Sequence, residues 1–307
     1  MGFSSNLYTQ KIQKFFDNNW SECNADTARF YAEIQNTDSG WIRRDYYIIE
    51  RKIHMKGLFT DSSCKIKNGY FYTFHPTGIL DEAGKYKTNR KEGLWLGYHP
   101  NGYMKDSIFY DNGEPKGISL HWYNNGYLSD STNYKPDGTA VQVSWFDDGS
   151  LSSAGRLSAD NLFHGKWQFF HRNGKLSATE VYNNGKLVDR KYFAEDGTPI
   201  SDTADKTQGA VFPGGIPAWQ QYLSKKLYWP ANYKIVNNDK GAVGVDFMVD
   251  ENGLVKDVNI NTPFHPAFND IVLQIIKGSP KWVPAISHNR RVPYHHKQMV
   301  TFKQVPY

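Results

Sequence analysis

A repeat constrains this chain more than anything else in it. A small residue at positions 69, 93, 117, 140 and 165 is followed by an aromatic residue five places on: Phe74, Tyr98, Trp122, Trp145 and Phe170. Nine places on stands a glycine (Gly78, Gly102, Gly126, Gly149, Gly174), and eleven on an aliphatic residue or methionine (Leu80, Met104, Leu128, Leu151, Leu176). A worn sixth copy has Val188, Phe193 and Gly197, with Pro199 in the last slot, and the six starts lie 24, 24, 23, 25 and 23 residues apart. Chance does not hold four slots in register over five copies, so the middle of the chain is an array of one supersecondary unit.

The unit explains itself physically. Its first half, as in Gly93-Leu-Trp-Leu-Gly-Tyr98, is short and aromatic and suits a strand. Asn-Gly or Asp-Gly follows, a hairpin signal because these residues accept positive φ at little cost. The aliphatic slot opens a return strand that often runs to a tyrosine, Tyr110, Tyr134 or Tyr182. One such hairpin cannot bury its own face, whereas stacked copies pack their aromatic slots into a continuous core. An aromatic content of 15% with 26 glycines fits that reading better than a helix bundle. These units resemble the variant MORN repeats of bacterial proteins over roughly residues 57–200. The resemblance implies a scaffold or binding surface, not one chemistry.

Residues 1–56 are expected to cap the open end of the repeat sheet. Ile12, Phe15, Phe16 and Trp20 suit one or two turns of amphipathic helix, while 29–35 and 46–53 look strand-like. Cys23 and Cys64 are the only cysteines, enough for one bridge or two free thiols, and too few for a four-thiolate zinc site. The opening MGFSSNLYTQ has neither the basic nor the apolar region of a signal peptide. The longest charge-free run, Gln208 to Ser224, holds two prolines, a Gly-Gly and a Gln-Gln, so no membrane span is expected.

Charge and pattern both change near residue 205. Residues 210–307 hold 11 Lys/Arg and 6 Asp/Glu, against 25 of each in the rest. The excess is too small and too scattered to indicate nucleic acid, and the doublet Arg290-Arg291 reads as solvated surface. A polar linker is expected over 201–211. Beyond it, 216–228 reads as a helix with Trp219, Tyr222, Leu223 and Leu227 on one face. Strict alternation over 242–250 and a turn at Asp250-Glu-Asn-Gly253 give a hairpin with 255–262. A second helix follows over 266–278, then a last strand over 296–304 with Met299 or Val300 inward. The fold class is therefore mainly β, a stacked hairpin sheet followed over 212–307 by an αββαβ domain with a three-stranded antiparallel sheet and two helices.

The motifs of this last part resemble the TonB C-terminal domain family over about residues 210–304: Phe212-Pro-Gly-Gly215, Leu227-Tyr-Trp-Pro230, Gly244 through Gly253, Pro280-Lys-Trp-Val-Pro284 and Val300-Thr-Phe302. Trp229 stands inside the family's Tyr-Pro pair, and the second helix lacks the usual basic residue. The resemblance implies a periplasmic or envelope location and a sheet edge lent to an extended segment of an outer-membrane transport protein. Here the candidate edge is Met299, Val300, Thr301, Phe302 and Lys303. With neither a membrane helix nor a proline-rich spacer in the sequence, a binding module without the motor is expected.

Enzymatic signatures are absent. No phosphate-cradling glycine loop, HExxH or nucleophile elbow occurs, and neither cofactor nor metal is expected. His75, His99 and His171 each follow the aromatic slot, so stacking would bring at least His75 and His99 into one column, as a metal pair or as a surface residue inherited by duplication. His295 and His296 point to opposite faces of a strand. The alternative to peptide capture is a glycan- or peptidoglycan-binding module that stacks sugars on exposed aromatics, with Tyr103 and Tyr127 as candidates.

Overall fold

The computed structural model describes residues 11–233 and 241–303. Sixteen strands pair in chain order in one antiparallel sheet, and three more form a second, smaller sheet. Two compact units divide the chain, one holding described residues up to 102 with 110–114, the other 103–109 and the described residues from 115 on.

In the first unit the strands are β1 (Lys11–Phe16), β2 (Phe30–Thr37), β3 (Gly40–Tyr47), β4 (Lys52–Phe59), β5 (Lys67–Phe74), β6 (Leu80–Lys87) and β7 (Arg90–Tyr98). The helix expected near Ile12 is instead β1, paired residue for residue with β2 from Lys11↔Gln35 to Phe16↔Phe30. Alternation decided this: Phe16 packs into a cluster with Phe30, Ala32 and Tyr47, while Lys11 and Gln13 face water. The strand-like stretch 46–53 holds the end of β3 and the start of β4, with the turn over 48–51 between them. Cys23 and Cys64 are both free.

The sheet continues through β8 (Met104–Asp111), β9 (Glu114–Trp122), β10 (Leu128–Tyr134), β11 (Ala140–Trp145), β12 (Leu151–Leu157), β13 (Phe163–Phe170), β14 (Leu176–Asn183), β15 (Lys186–Phe193) and β16 (Pro199–Ile200). Two kinds of turn recur, and the turn closed by Gly138 is of the first kind although it lies at the other end of the strands. After each aromatic slot a tight loop closes with its glycine at φ between +81° and +90°, and a register shift follows in the ladder, as between Phe169 and Phe170. At the opposite end, Asn112-Gly113 and Asn184-Gly185 have both central residues at positive φ, the geometry that matches strand twist in two-residue hairpins.

The aromatic core differs from expectation in which residues build it. The slot aromatics Phe74, Tyr98, Trp145 and Phe170 are only half-buried, and the deepest rings stand three places earlier: Phe71, Trp95 and Trp167. Each lies flat over a glycine of the preceding return strand. A Cβ on Gly57, Gly84 or Gly155 would fall 2.1–2.2 Å from the ring of Phe71, Trp95 or Trp167 respectively. Ser119 and Gln142 occupy that place in the two intervening copies, so the core forms separate patches, around Phe71 and Trp95 and around Trp167 and Phe169.

Past residue 200 come α1 (Gly215–Lys226), β17 (Ala242–Val249), β18 (Val255–Thr262), α2 (Pro266–Lys277), β19 (Ala285–Ser287), β20 (Arg290–Val292) and β21 (Tyr294–Thr301). Pro266 starts α2, where its missing N–H costs nothing, and the His265 side chain caps the Ala267 N–H. Trp219 and Leu223 of α1 and Phe268, Val272 and Ile276 of α2 share one core with Val243, Val245, Phe247 and Val249 of β17. The expected linker is only partly free: Gln208 and Val211 bridge to Ile286 and Val283, and Ala210 belongs to this core. The last strand begins two residues before the expected start, and Gln304 lies outside the described residues, as do 1–10 of the expected cap.

Candidate functional site

The small sheet runs β18-β17-β21, which leaves β18 and β21 as its two edges. They differ in regularity. β18 meets β17 with two register shifts, and its Asp257 has φ +52°, so that edge is bent. By contrast β21 pairs with β17 through eight consecutive residues, Val249↔Tyr294 to Ala242↔Thr301, without a shift. Just past the strand the Phe302 N–H donates to Gly241 O at 2.7 Å. Antiparallel ladders alternate, so Val300, Gln298, His296 and Tyr294 turn their backbone groups toward β17. The N–H and C=O of Thr301, Met299, Lys297 and His295 therefore point away from the sheet. Among the described residues no strand pairs with that side.

Of the five edge residues picked from sequence, the structure brings all together but divides their roles. Val300 and Phe302 are buried in the domain core. Met299, 42% exposed, and Thr301 and Lys303 face outward. Behind the strand, Trp219 Nε1 donates to Gln298 Oε1 at 2.9 Å, and His296 stacks on Phe247 with ring centres 5.0 Å apart. Burial lowers the His296 pKa against an opposing hydrogen bond with the Ala210 backbone. Its neighbour His295 is exposed, as the strand alternation requires.

The hairpin β19–β20 is not among the elements expected from the sequence. Its turn residues His288 and Asn289 hold φ of +51° and +59°, and they touch the repeat strands of the same compact unit. His288 Nδ1 lies 2.8 Å from Glu180 Oε2, and its ring stacks on Phe169 with centres 3.6 Å apart. Burial alone would raise the Glu180 carboxyl, yet hydrogen bonds from His288 and Tyr182 take it below the usual range. Nearby, Arg172 bonds to Asp147, Asp148 and Glu251, tying the β17–β18 turn to the repeats. Arg290 is not solvated surface: burial lowers its pKa to about 10, and its Nη1 and Nη2 donate to the repeat strands, while Nε is buried without a partner. The turn-forming Asn289 between Ala285-Ile286 and Val292 is the local signal that could have marked it.

His75 and His171 each serve a backbone carbonyl within their own unit. His75 Nε2 faces Tyr98 O at 2.9 Å and His171 Nε2 faces Phe193 O at 3.0 Å. A carbonyl only accepts, so each of these nitrogens carries its proton and has no lone pair for a metal. Among the described residues no group of three or more His, Cys, Asp or Glu is placed to hold one. Tyr103 and Tyr127 are 56% and 53% exposed, at equivalent turns, and the Tyr127 ring leans on Gly149.

The terminal domain matches a family. Residues 229–304 fit the family model of the Gram-negative bacterial TonB protein C-terminal, which is about a quarter of the chain. No curated protein matches the sequence. The family is non-enzymatic, mediates protein interactions and sits on the periplasmic side, so the match supports an envelope-associated, protein-interacting role. Among the described residues no helix is long and apolar enough to cross a membrane.

Proposed function

We propose that this protein is a non-enzymatic binding protein of the periplasm or cell envelope. In it, β21 recruits an extended segment of an envelope or outer-membrane transport protein by adding it as a fourth strand. Residues 212–307 are the capturing part, 57–200 a stiff hairpin mount, 201–211 the passage between them, and 1–56 close the far end of the sheet. The observation that carries the reading is the unbroken eight-residue pairing of β21 with β17, which leaves a matching row of backbone donors and acceptors on the other side. Main-chain bonds supply affinity in this mode. The outward side chains of His295, Lys297, Met299 and Thr301 supply selectivity.

Thr301→Pro tests it, because proline removes an outward N–H without touching a bond to β17. With the full chain immobilised and envelope extract passed over it, a partner retained by wild type and by Thr301→Val but lost with Thr301→Pro is the expected result. Retention by the proline variant, or no partner at all, refutes the proposal. A glycan reading rests on the exposed Tyr103 and Tyr127 and predicts a change in aromatic fluorescence with soluble peptidoglycan fragments, abolished in the Tyr103→Ala/Tyr127→Ala variant.

A further inference from the structure

One hydrogen bond recurs along the repeat sheet. The residue after the aromatic slot donates to the slot carbonyl of the next copy: His75 Nε2 to Tyr98 O at 2.9 Å, Tyr123 Oη to Trp145 O at 2.9 Å, His171 Nε2 to Phe193 O at 3.0 Å. Tyr47 Oη does the same for Phe74 O at 3.2 Å, ahead of the first copy recognised in the sequence. In the fourth copy the place belongs to Phe146, which has nothing to donate. The carbonyl it leaves, Phe170 O, accepts instead from Arg290 Nη1, and the guanidinium lies 5.0 Å from the centre of the Phe146 ring.

The hairpin tip also reads the period of the array. Arg290 donates to Ser152 O at 2.6 Å as well as to Phe170 O, while Asn289 Nδ2 donates to Ser177 O at 3.3 Å and Phe193 O at 3.0 Å. Ser152 and Ser177 hold the same place in successive copies, as do Phe170 and Phe193. Two consecutive residues thus make one contact pattern twice, one repeat apart. Two strand spacings of about 4.8 Å separate the acceptors. A planar guanidinium fits this fork of carbonyls between aromatic rings, where an ammonium would leave acceptors unserved.

We propose that Phe146 sets where the C-terminal domain docks: lacking the donor that the other copies carry, it opens a receptor for Arg290, and Asn289-Arg290 locks the β19–β20 hairpin onto two successive repeats in a single register. This stands apart from the β21 edge and does not depend on it. Hydrogen exchange of the full chain tests it. Arg290→Ala should speed exchange of the 285–292 amides at least ten-fold and leave β17 and β21 unchanged. Phe146→Tyr adds one oxygen and imitates Tyr123, so it should serve Phe170 O, displace Arg290 and speed the same amides by a similar factor. Phe146→Leu, which still has no donor, should keep them within about three-fold of wild type. In the Phe146→Tyr background Arg290→Ala should then add less than two-fold. Hairpin protection unaffected by Phe146→Tyr, equal loss with Phe146→Leu, or full additivity of the two changes would each overturn the proposal.

Discussion

Gly155→Ala separates steric packing from backbone conformation. Gly155 is not among the positive-φ glycines, so alanine meets no backbone penalty. Its Cβ would stand 2.1 Å from Trp167 Cδ2 and 2.3 Å from Cε2, where carbon atoms rest at about 3.5–4.0 Å. The indole must retreat by about 1.5 Å, but it is buried, stacked on Phe163 with centres 4.0 Å apart, and its Nε1 donates to Arg156 O at 2.9 Å. Overpacking costs about 1–3 kcal/mol. Losing the buried donor's partner adds about 1–3 kcal/mol, and the reduced freedom of the unfolded chain returns about 0.5–1 kcal/mol. The net loss of about 1–5 kcal/mol corresponds to a fall in Tm of about 3–15 °C. Thermal unfolding followed by near-ultraviolet circular dichroism reads it. Gly165→Ala is the contrast, since φ is +68° there with no atom within 4 Å, and its cost of about 1–2 kcal/mol is conformational alone. Shrinking the ring supplies the decisive control: Trp167→Ser, the residue that Ser119 already places in this slot, should cost less in the Gly155→Ala chain than in wild type. A Gly155→Ala protein that melts at the wild-type temperature, or a penalty indifferent to Trp167→Ser, would refute the argument.

Acid sensitivity should trace in part to His54, which packs against Trp20, Phe30 and Tyr47 with its Nδ1 unpartnered. Burial lowers its pKa from the ordinary 6.5 to about 4, with the Asp81 carboxylate opposing and Arg43 assisting. Between those values the unfolded chain binds the proton and the folded one does not, so stability falls as pH drops from about 6.5 to about 4, by about 3 kcal/mol in all. Urea unfolding of His54→Leu across that window should lack this loss; parallel curves for the two proteins would contradict it. Cys64 makes a kinetic prediction. Burial pushes its thiol up to about 11, so at pH 8 alkylation in the native protein should run about a hundred-fold slower than in urea, and equal rates by mass spectrometry would place the thiol elsewhere. Tyr123→Phe deletes the donor to Trp145 O and should cost about 1 kcal/mol in the same urea assay, whereas Tyr127→Phe, at an exposed turn, should cost nothing measurable.

What the sequence disclosed followed from periodicity. The turn glycines, the return strands and the alternation of Ala242–Val249 are local signals, and each landed where the chain folds. Misreadings came where a partner strand or a tertiary contact decided the outcome. Phe15, Phe16 and Trp20 fit a helical turn by spacing, yet pairing with β2 made Lys11–Phe16 a strand. The slot aromatics recur most regularly, but regularity reflects their place beside the turn rather than depth. Trp95 and Trp167 are deepest because a glycine opposite leaves them room, and that glycine lies on another strand. Arg290 looked like surface because a doublet of arginines carries no local mark of the carbonyls awaiting it some 120–138 residues earlier. At the candidate edge, the motif Val300-Thr-Phe302 could be recognised, but which residues face outward depends on the bond from Phe302 to Gly241.

Those cross-strand relations show how a repeat acquires a site. Within the array, facing positions compensate: Gly57 stands opposite Phe71, Thr132 opposite Gln142 and Glu180 opposite Arg190. Each copy can therefore drift in composition while its neighbour absorbs the change in volume or charge, and the sheet survives. Hydrogen bonds do not drift so freely, because a buried carbonyl without a donor costs about 1–3 kcal/mol wherever it occurs. In the one copy where the position after the slot is phenylalanine, the volume is accommodated but the carbonyl of Phe170 still requires a donor. A guanidinium from elsewhere in the chain meets that requirement and is held between Phe146 and Phe169. An array that is uniform in backbone but uneven in donors thus has one preferred place to bind an arginine, and moving the gap by one repeat should open a site that Arg290 cannot serve while Asn289 holds Phe193 O. Tyr123→Phe combined with Phe146→Tyr should lose the native contact of the hairpin and leave Trp145 O as the unserved carbonyl, one repeat away from where Asn289 can still reach Phe193 O. Hydrogen exchange over 285–292 in that double variant should then match Phe146→Tyr alone, and recovered protection would mean that the hairpin is held by something other than the rung it occupies.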